Sequence, residues 1–232
     1  MLAAEAMRLA AVEILCPTAA TRGAIPYPTL AGPRVYDSRA VALEDLDGNA
    51  AFTPVMALYT TESGVSLRGS MAAADDTEAD AVLDIVVELA VSSDDDQGSF
   101  ADAMIEDDPK ARLTLAALCA QTRWLLERSQ NGGLWRTIVK RIIKTELQPY
   151  GVPQLGLRWQ RMTIRMHCEI RDDDFDMADG GLPEPIRSLY GKLPADSYAK
   201  GQLAELATKF APELLPALRE VRVSAAGTTS GL

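Results

Sequence analysis

His167 and Cys168 are the residue types that nucleophilic catalysis requires, a base and a thiol side by side in the chain. A histidine base must reach the thiol that it activates. Polar and apolar residues alternate over 157–170, and this period of two predicts a strand. Because adjacent strand residues point to opposite faces, the pair cannot act together. We interpret His167 as a surface or interface residue, and the sequence predicts no catalytic residue.

An acidic segment offers the residue type that binds calcium. Its aspartates are Asp172, Asp174, Asp176 and Asp179. An EF-hand loop beginning at Asp172 needs glycine at its sixth position and glutamate at its twelfth, where this chain has Met177 and Pro183. The pattern therefore favours a solvated loop over an irregular cation site, and the run Asp94–Asp96 is interpreted in the same way. No metal site is predicted.

Basic residues form the one charged constellation with a regular spacing. Arg136, Lys140 and Lys144 are four residues apart, and Arg141 lies beside them. On a helix predicted over 134–147 they would form a stripe opposite Ile138, Ile142 and Ile143. The stripe could be a solvated face paired with acids of the protein or of a neighbouring subunit. It could also contact DNA phosphates, and Arg158, Arg161 and Arg165 could do the same from the sheet.

Composition limits the classes of function. The net charge of −10 argues against bulk binding to nucleic acid or to anionic membranes. The three widely spaced cysteines, Cys16, Cys119 and Cys168, are expected to be buried reduced thiols of a protein made in the cytoplasm. No stretch approaches the roughly 18 apolar residues of a membrane span. Gly132-Gly133 is followed by Leu134 and does not fit a phosphate-binding loop, so no cofactor is predicted.

The order of elements predicts an α+β fold with a mixed or antiparallel sheet of about four strands, packed by helices. Helices are predicted over 3–16, from Pro109 to a break at 130–133, and over 134–147, and strands over 34–41, 53–61, 81–91 and 157–170. On the helix that begins at Pro109, the predicted buried face is Leu113, Ala116, Ala120 and Trp124. Short proline-punctuated helices are expected over 183–219. The predicted division is an α+β domain over 1–171, a helical extension over 172–224 and a flexible tail over 225–232.

Residues 31–67 are predicted to form a hairpin. Its strands are Arg-Val-Tyr-Asp-Ser-Arg-Ala-Val and Pro-Val-Met-Ala-Leu-Tyr-Thr-Thr, joined by an acidic connection with the turn signal Asp47-Gly48-Asn49. These two segments, the preceding helix, the third strand and the final long strand together resemble phage tail terminator proteins, also called tail completion or minor tail proteins. The resemblance covers residues 1–170 in outline.

This resemblance implies a structural virion protein, not an enzyme. It implies a homo-oligomeric ring, typically of about six copies, at the head-proximal end of the tail tube. Such a ring would end tube growth, contact the tube protein and a neck or head-completion protein, and surround the genomic DNA, with transient non-specific contact. The implied location is the tail–neck junction of the virion, with synthesis in the host cytoplasm and no membrane contact.

The chain departs from the small family members in two ways, and other functions stay open. It has two predicted helices between the third and last strands, and a C-terminal extension that could contact a sheath or a collar. One alternative is another neck or tail component, such as a head–tail connector or a tube protein. The remaining alternatives are a metal-dependent hydrolase that uses the Asp172–Asp179 loop and a soluble binding module of a cellular protein.

Overall fold

A computed structural model describes residues 1–71, 73, 76–95, 98–105, 109–152, 157–175 and 181–210. The protein is α+β, and its sheet has six strands where about four were predicted. The helices are α1 (Leu2–Leu15), α2 (Thr18–Thr21), α3 (Pro109–Arg123), α4 (Trp135–Ile138), α5 (Ile186–Lys192) and α6 (Tyr198–Ala207). The strands are β1 (Val35–Asp37), β2 (Thr53–Leu67), β3 (Thr77–Asp95), β4 (Gly98–Ala103), β5 (Val139–Val152) and β6 (Leu157–Ile170).

The sheet has the order β1-β2-β3-β6-β5, and every neighbouring pair is antiparallel except β1 with β2. The hairpin of β2 and β3 is paired from Thr53↔Ala90 to Leu67↔Thr77. On its other side β3 pairs first with β6 and then, from Ala90 onward, with β4. The strand β4 was not predicted from the sequence. Residues 92–99 were expected to form an acidic loop, and the residues after them were expected to lead into a helix.

The hairpin predicted for residues 31–67 is wrong. The strands β1 and β2 are neighbours, but they run parallel, with Val35 opposite Met56 and Asp37 opposite Leu58. The acidic connection of residues 38–52 crosses back along the sheet before β2 begins, and it contains a 3₁₀ turn at Leu43–Asp45. This connection covers a second apolar cluster around Tyr36, Val55 and Ala57 on the sheet face away from the helices. Because the connection covers this cluster, the chain runs back to the end of the sheet where β1 begins, and β2 then runs in the same direction as β1.

Helix α1 lies at the centre of the helical layer. Eleven of its fourteen residues are buried, because the sheet covers one side and α4, α5 and α6 cover others. The predicted helix over 3–16 is therefore confirmed within one residue at each end. Beyond Pro17, the buried carboxylate of Glu13 accepts hydrogen bonds from the Thr18 amide at 2.9 Å and hydroxyl at 2.8 Å, which fixes the start of α2.

The core lies between the helices and one face of the sheet. Leu83, Ile85, Val87 and Leu89 of β3 are fully buried there, as are Ile164, Met166 and Ile170 of β6. Both faces of β6 therefore follow the predicted alternation, and the predicted strand over 157–170 is confirmed. Helices α5 and α6 add Ile186, Leu189 and Leu203 to the same cluster. Residues 211–224 of the predicted extension and the predicted tail over 225–232 lie outside the described residues.

Two helix predictions need correction. The buried face of α3 consists of Ala111, Leu115, Leu118, Cys119 and Thr122. The four residues predicted to be buried are all exposed, with 71% exposure for Leu113 and 58% for Trp124. The second predicted helix, 134–147, is helical only over Trp135–Ile138 and continues as β5. Its β-branched residues pair with β6, so sheet formation outweighs the weak helical periodicity.

Candidate functional site

A groove of about 720 Å³ runs beside β5, between this strand and the segment that joins α3 to α4. Its lining contains six basic side chains and one acidic side chain. The basic residues are Arg123, Arg128, Arg136, Lys140, Arg141 and Lys144, and the acidic residue is Glu127. In a chain of net charge −10, this groove is a local concentration of positive charge. We call it the basic groove.

The local backbone brings these residues together. Arg136 lies on α4 next to Trp135, whose ring is 2% exposed and anchors this short helix in the core. The pairing of β5 with β6 shifts between Val139 and Arg141 and again between Ile142 and Lys144. These bulges place Arg141 opposite Glu169 and Lys144 opposite His167. Each bulge adds one residue, so both cations face the same side of the sheet although they are three positions apart.

Acidic neighbours partly neutralise the groove. Arg123 donates to both carboxylate oxygens of Glu127, at 2.8 and 3.1 Å. Arg141 and Lys140 share Glu169, at 2.6 and 3.6 Å. Lys144 pairs with Glu146 at 2.6 Å.

The ion pairs also set the protonation of these acids. Burial works against ionisation of Glu169, yet the hydrogen bonds and charges of Arg141 and Lys140 hold its pKa below the ordinary value. The hydrogen bond from Lys144, with a second from His167, lowers the pKa of Glu146. Both glutamates are therefore ionised at neutral pH. Within the part of the chain that the structure describes, Arg128 and Arg136 form no ion pair, so these two guanidinium groups remain available for an anion.

Exposed apolar side chains lie along the same edge. On β5, Ile143 is 62% exposed and Leu147 is 46% exposed. The outer side of β5 has no neighbouring strand among the described residues, so its backbone groups along that side are open to a partner. The site therefore combines cations, apolar side chains and a free strand edge, and these are features of a surface that binds an acidic polymer or an acidic protein segment.

All four basic residues predicted from the sequence line this groove, although three of them lie on a strand and not on a helix. The sequence interpretation missed Arg123 and Arg128. The sequence feature that could have identified them is the Gln-Asn-Gly-Gly break at 130–133, which lies between Arg128 and Arg136. This turn brings the residues before it and the residues after it to the same groove. The predicted stripe was wrong in secondary structure, yet its residues converge.

The sheet arginines do not reach the groove. Arg165 donates two hydrogen bonds to Asp84, both at 2.9 Å, and Arg161 donates one to Glu88 at 2.6 Å. The side chain of Arg158 lies outside the described residues. Arg161 and Arg165 are therefore engaged within the sheet and are not free to bind DNA from there.

His167 and Cys168 lie on opposite faces of β6, as their spacing predicts. Cys168 is buried in the core, and burial raises the pKa of its thiol to about 12. His167 is partly exposed on the other face, with Nε2 3.1 Å from a carboxylate oxygen of Glu146. A base and a nucleophile separated by the sheet cannot form a catalytic pair.

The acidic segment after β6 has a structural role. Asp173 accepts hydrogen bonds from the amides of Leu2 and Ala3, at 2.8 and 2.7 Å, and so caps the start of α1. Asp172 accepts from the Thr77 hydroxyl at 2.6 Å. Asp176 and Asp179 lie outside the described residues. Among the residues described, no group of three acidic, histidine or cysteine side chains is placed to hold a metal ion.

A second cavity, of about 330 Å³, lies between α1, β1 and α6 and borders Cys16. On its rim the Arg39 guanidinium lies 3.8 Å from the centre of the Tyr36 ring and forms two hydrogen bonds with Asp45, at 2.7 and 3.0 Å. Burial, followed by the charge of Asp45, raises the pKa of Tyr36 to about 12. These groups satisfy one another and secure the connection of residues 38–52.

The chain matches no protein-family model, and no curated protein is significantly similar to it in sequence. Over the residues that the structure describes, none of the helices has the length and apolarity needed to cross a membrane. The geometry of the basic groove and the sheet edges is therefore the main evidence on function.

Proposed function

We propose that this protein is a structural component of a phage tail that forms a ring at the head-proximal end of the tail tube. In this role it ends tube growth and joins the tail to the neck. The order of elements supports the proposal. An N-terminal helix is followed by strands at the segments Arg34–Arg39 and Pro54–Thr60, by a third strand, by a helix and by a final long strand. This order is the part of the resemblance to tail terminator proteins that the fold retains, since the hairpin expected for residues 31–67 does not form.

The observation that carries the proposal is the pair of free strand edges at opposite ends of one sheet. At one end the outer side of β5 has no partner strand in the described chain. At the other end β1 pairs only with Met56–Leu58, and among the described residues no strand pairs with the outer side of β2 from Tyr59 to Leu67. Two different free edges allow one subunit to meet the next head to tail, and such contacts generate closed rings when the rotation between subunits closes.

The charge distribution also supports assembly. The protein is acidic overall, while the basic groove gathers six basic side chains, of which Arg128 and Arg136 have no acidic partner in the described chain. Complementary charge on two different surfaces steers subunits toward the correct contact and disfavours others. The proposed partners are further copies of the chain, the tube protein, and a neck or head-completion protein, with a sheath or collar as a further contact. DNA in the lumen makes only transient, non-specific contact.

Two measurements test the proposal. Light scattering coupled to size-exclusion chromatography, with negative-stain images, should give a closed ring of about six copies for the purified chain. Labelling of phage particles should place the chain at the tail–head junction, and particles without it should carry tubes of irregular length. A location along the tube or inside the portal would instead indicate a tube protein or a connector, and a stable monomer in solution that is absent from particles would contradict a virion role.

A further inference from the structure

We infer that the basic groove of one copy receives the free edge of β2 from a second copy, which adds to β5 as a further strand. The inference rests on the proposed function in one respect, since it takes a second copy of the chain as the partner. It goes further in naming the two surfaces that meet.

The receiving surface has the form required for strand addition. An edge strand with open backbone groups can bind an extended segment through main-chain hydrogen bonds, while flanking pockets select its side chains. Here β5 supplies the edge, and Trp135 and Arg136 of α4 with the end of α3 supply the opposite wall of the groove. Of the cations in this wall, Arg128 and Arg136 have no acidic partner in the described chain.

The entering surface is the uncovered part of the long hairpin. Within the part of the chain that the structure covers, β2 from Tyr59 to Leu67 pairs with β3 on one side and with no strand on the other. Val65 is 46% exposed and Leu67 is 54% exposed on this strand. Exposed apolar residues on an uncovered strand are normally buried by a partner, because such an edge otherwise promotes uncontrolled association.

The two surfaces are complementary in charge and in polarity. The free end of the hairpin, residues 59–80, carries four acids among its described residues, Glu62, Asp76, Glu78 and Asp80, and one base, Arg68. The groove lining carries six bases and one acid. Ile143 in the groove lining, with the exposed Leu147 four residues further along β5, provides apolar surface for Val65 and Leu67. A phosphate backbone would satisfy the cations and leave these apolar side chains exposed, so a protein strand fits the groove better than DNA.

The contact is heterologous, because β5 and the free part of β2 lie at opposite ends of the sheet. Each copy offers one edge and accepts the other, so the same contact repeats from subunit to subunit. A continuous sheet would then run around the assembly, with one inter-subunit strand pair at each boundary.

A pair of complementary variants tests this arrangement. The groove variant carries Arg136→Glu and Ile143→Glu, and the hairpin variant carries Val65→Lys and Leu67→Lys. Each variant alone should fall to the monomer mass of 25.0 kDa in light scattering, because its altered surface would bury unpaired charges at every boundary between copies. An equimolar mixture should give a heterodimer of twice that mass, because the unmodified groove of the hairpin variant still accepts the unmodified hairpin of the groove variant. A mixture that stays monomeric would contradict the inference.

A matched control changes the same residue types away from the groove. Arg112→Glu with Leu113→Glu alters an exposed cation and an apolar side chain that is 71% exposed on α3, and it should leave the oligomer unchanged. Thermal unfolding followed by circular dichroism establishes that each variant is folded.

The outcomes separate the inference from the proposed function. If both variants still form rings, the inference is overturned and the ring survives. If the wild-type chain forms open chains that both variants abolish, the edge contact is supported and the closed ring is contradicted. A wild-type chain that stays monomeric at the highest concentration reached overturns the inference. A short DNA duplex that binds the wild type but not the groove variant, with oligomers unaffected, would assign the groove to phosphate instead.

Discussion

Arg165 and Asp84 face each other across β3 and β6, and the guanidinium donates two hydrogen bonds of 2.9 Å to the carboxylate. The pair Arg161 and Glu88 repeats this arrangement four residues away on each strand. The side chain of Asp84 is 11% exposed and that of Glu88 is 7% exposed. Ion pairs therefore connect β3 and β6 on the sheet face opposite the helices. Alternate residues of a strand share a face, and the register of the two strands sets each acid opposite an arginine.

Removing one partner of the Arg165–Asp84 pair should destabilise the protein. In Arg165→Met the Asp84 carboxylate stays buried without its guanidinium, and we expect a loss of about 2 kcal/mol in the free energy of unfolding. The double variant with Asp84→Leu should recover most of this loss, because no buried charge remains. Urea unfolding followed by tryptophan fluorescence measures both values.

A matched control for this prediction is Arg22→Met. Arg22 pairs with Asp196 at the surface, where both side chains are about half exposed. We expect Arg22→Met to change the free energy of unfolding by less than about 0.5 kcal/mol. Equal losses for Arg22→Met and Arg165→Met would show that burial does not govern these pairs.

Asp173 should stabilise α1 from the far end of the chain. Asp173→Ala removes the acceptor of the Leu2 and Ala3 amides and should cost about 1–2 kcal/mol. Asp173→Asn keeps one acceptor oxygen but lacks the negative charge that favours a helix start. It should therefore lose less stability than Asp173→Ala. Chemical denaturation compares the three proteins. An unchanged stability in Asp173→Ala would contradict the capping role.

Asp45 should make stability fall at acidic pH. The hydrogen bond from Arg39 is the main cause that lowers the pKa of Asp45 from 3.8 to about 2. A carboxyl with a depressed pKa in the folded state contributes fully above its unfolded pKa and loses its contribution as pH falls through the folded pKa. Asp45→Asn should therefore cost about 1–2 kcal/mol at pH 7, and the difference from wild type should shrink between pH 3.8 and about 2. Urea titrations across this range measure it, and a difference that does not depend on pH would contradict it.

The three thiols should differ in reactivity toward alkylation. Burial raises the pKa of Cys119 to about 11 and that of Cys168 to about 12, and both side chains are buried. Burial and the nearby Glu13 also raise the pKa of Cys16, but its side chain is partly exposed beside the second cavity. Iodoacetamide should therefore modify Cys16 first in the native protein and all three after denaturation. Peptide mass spectrometry identifies the order, and faster labelling of Cys168 would contradict the core packing.

The helical layer shows where sequence reasoning fails. On α3, small residues such as Ala116 and Ala120 fit an apolar face as well as Leu115 and Leu118 do, and only the position of the sheet decides which side is covered. Residues 134–147 contain isoleucines at spacings that suit a helix and a strand alike. The bulges in β5 break its alternation, so the signal of a strand is absent from the sequence.

The direction of β1 relative to β2 is a second feature that the local sequence does not encode. Both segments were identified as strands, but pairing depends on the path of the fifteen residues between them. That path is set by the apolar cluster under the connection and by the Arg39–Asp45 contacts. The close approach of Asp173 to the first turn of α1 is likewise a contact between residues 170 positions apart.

From the sequence alone follow the α+β class, α1, the central part of β3, β6, and the separation of His167 from Cys168, because strong periodicity over many residues has one structural solution. The positions of the basic residues relative to one another depend on the fold. Arg136, Lys140, Arg141 and Lys144 meet Arg123 and Arg128 only because a break at 130–133 and two bulges fold helix and strand around one groove. Long-range packing sets those positions, since the short-range preferences of these residues are too weak to choose between helix and strand.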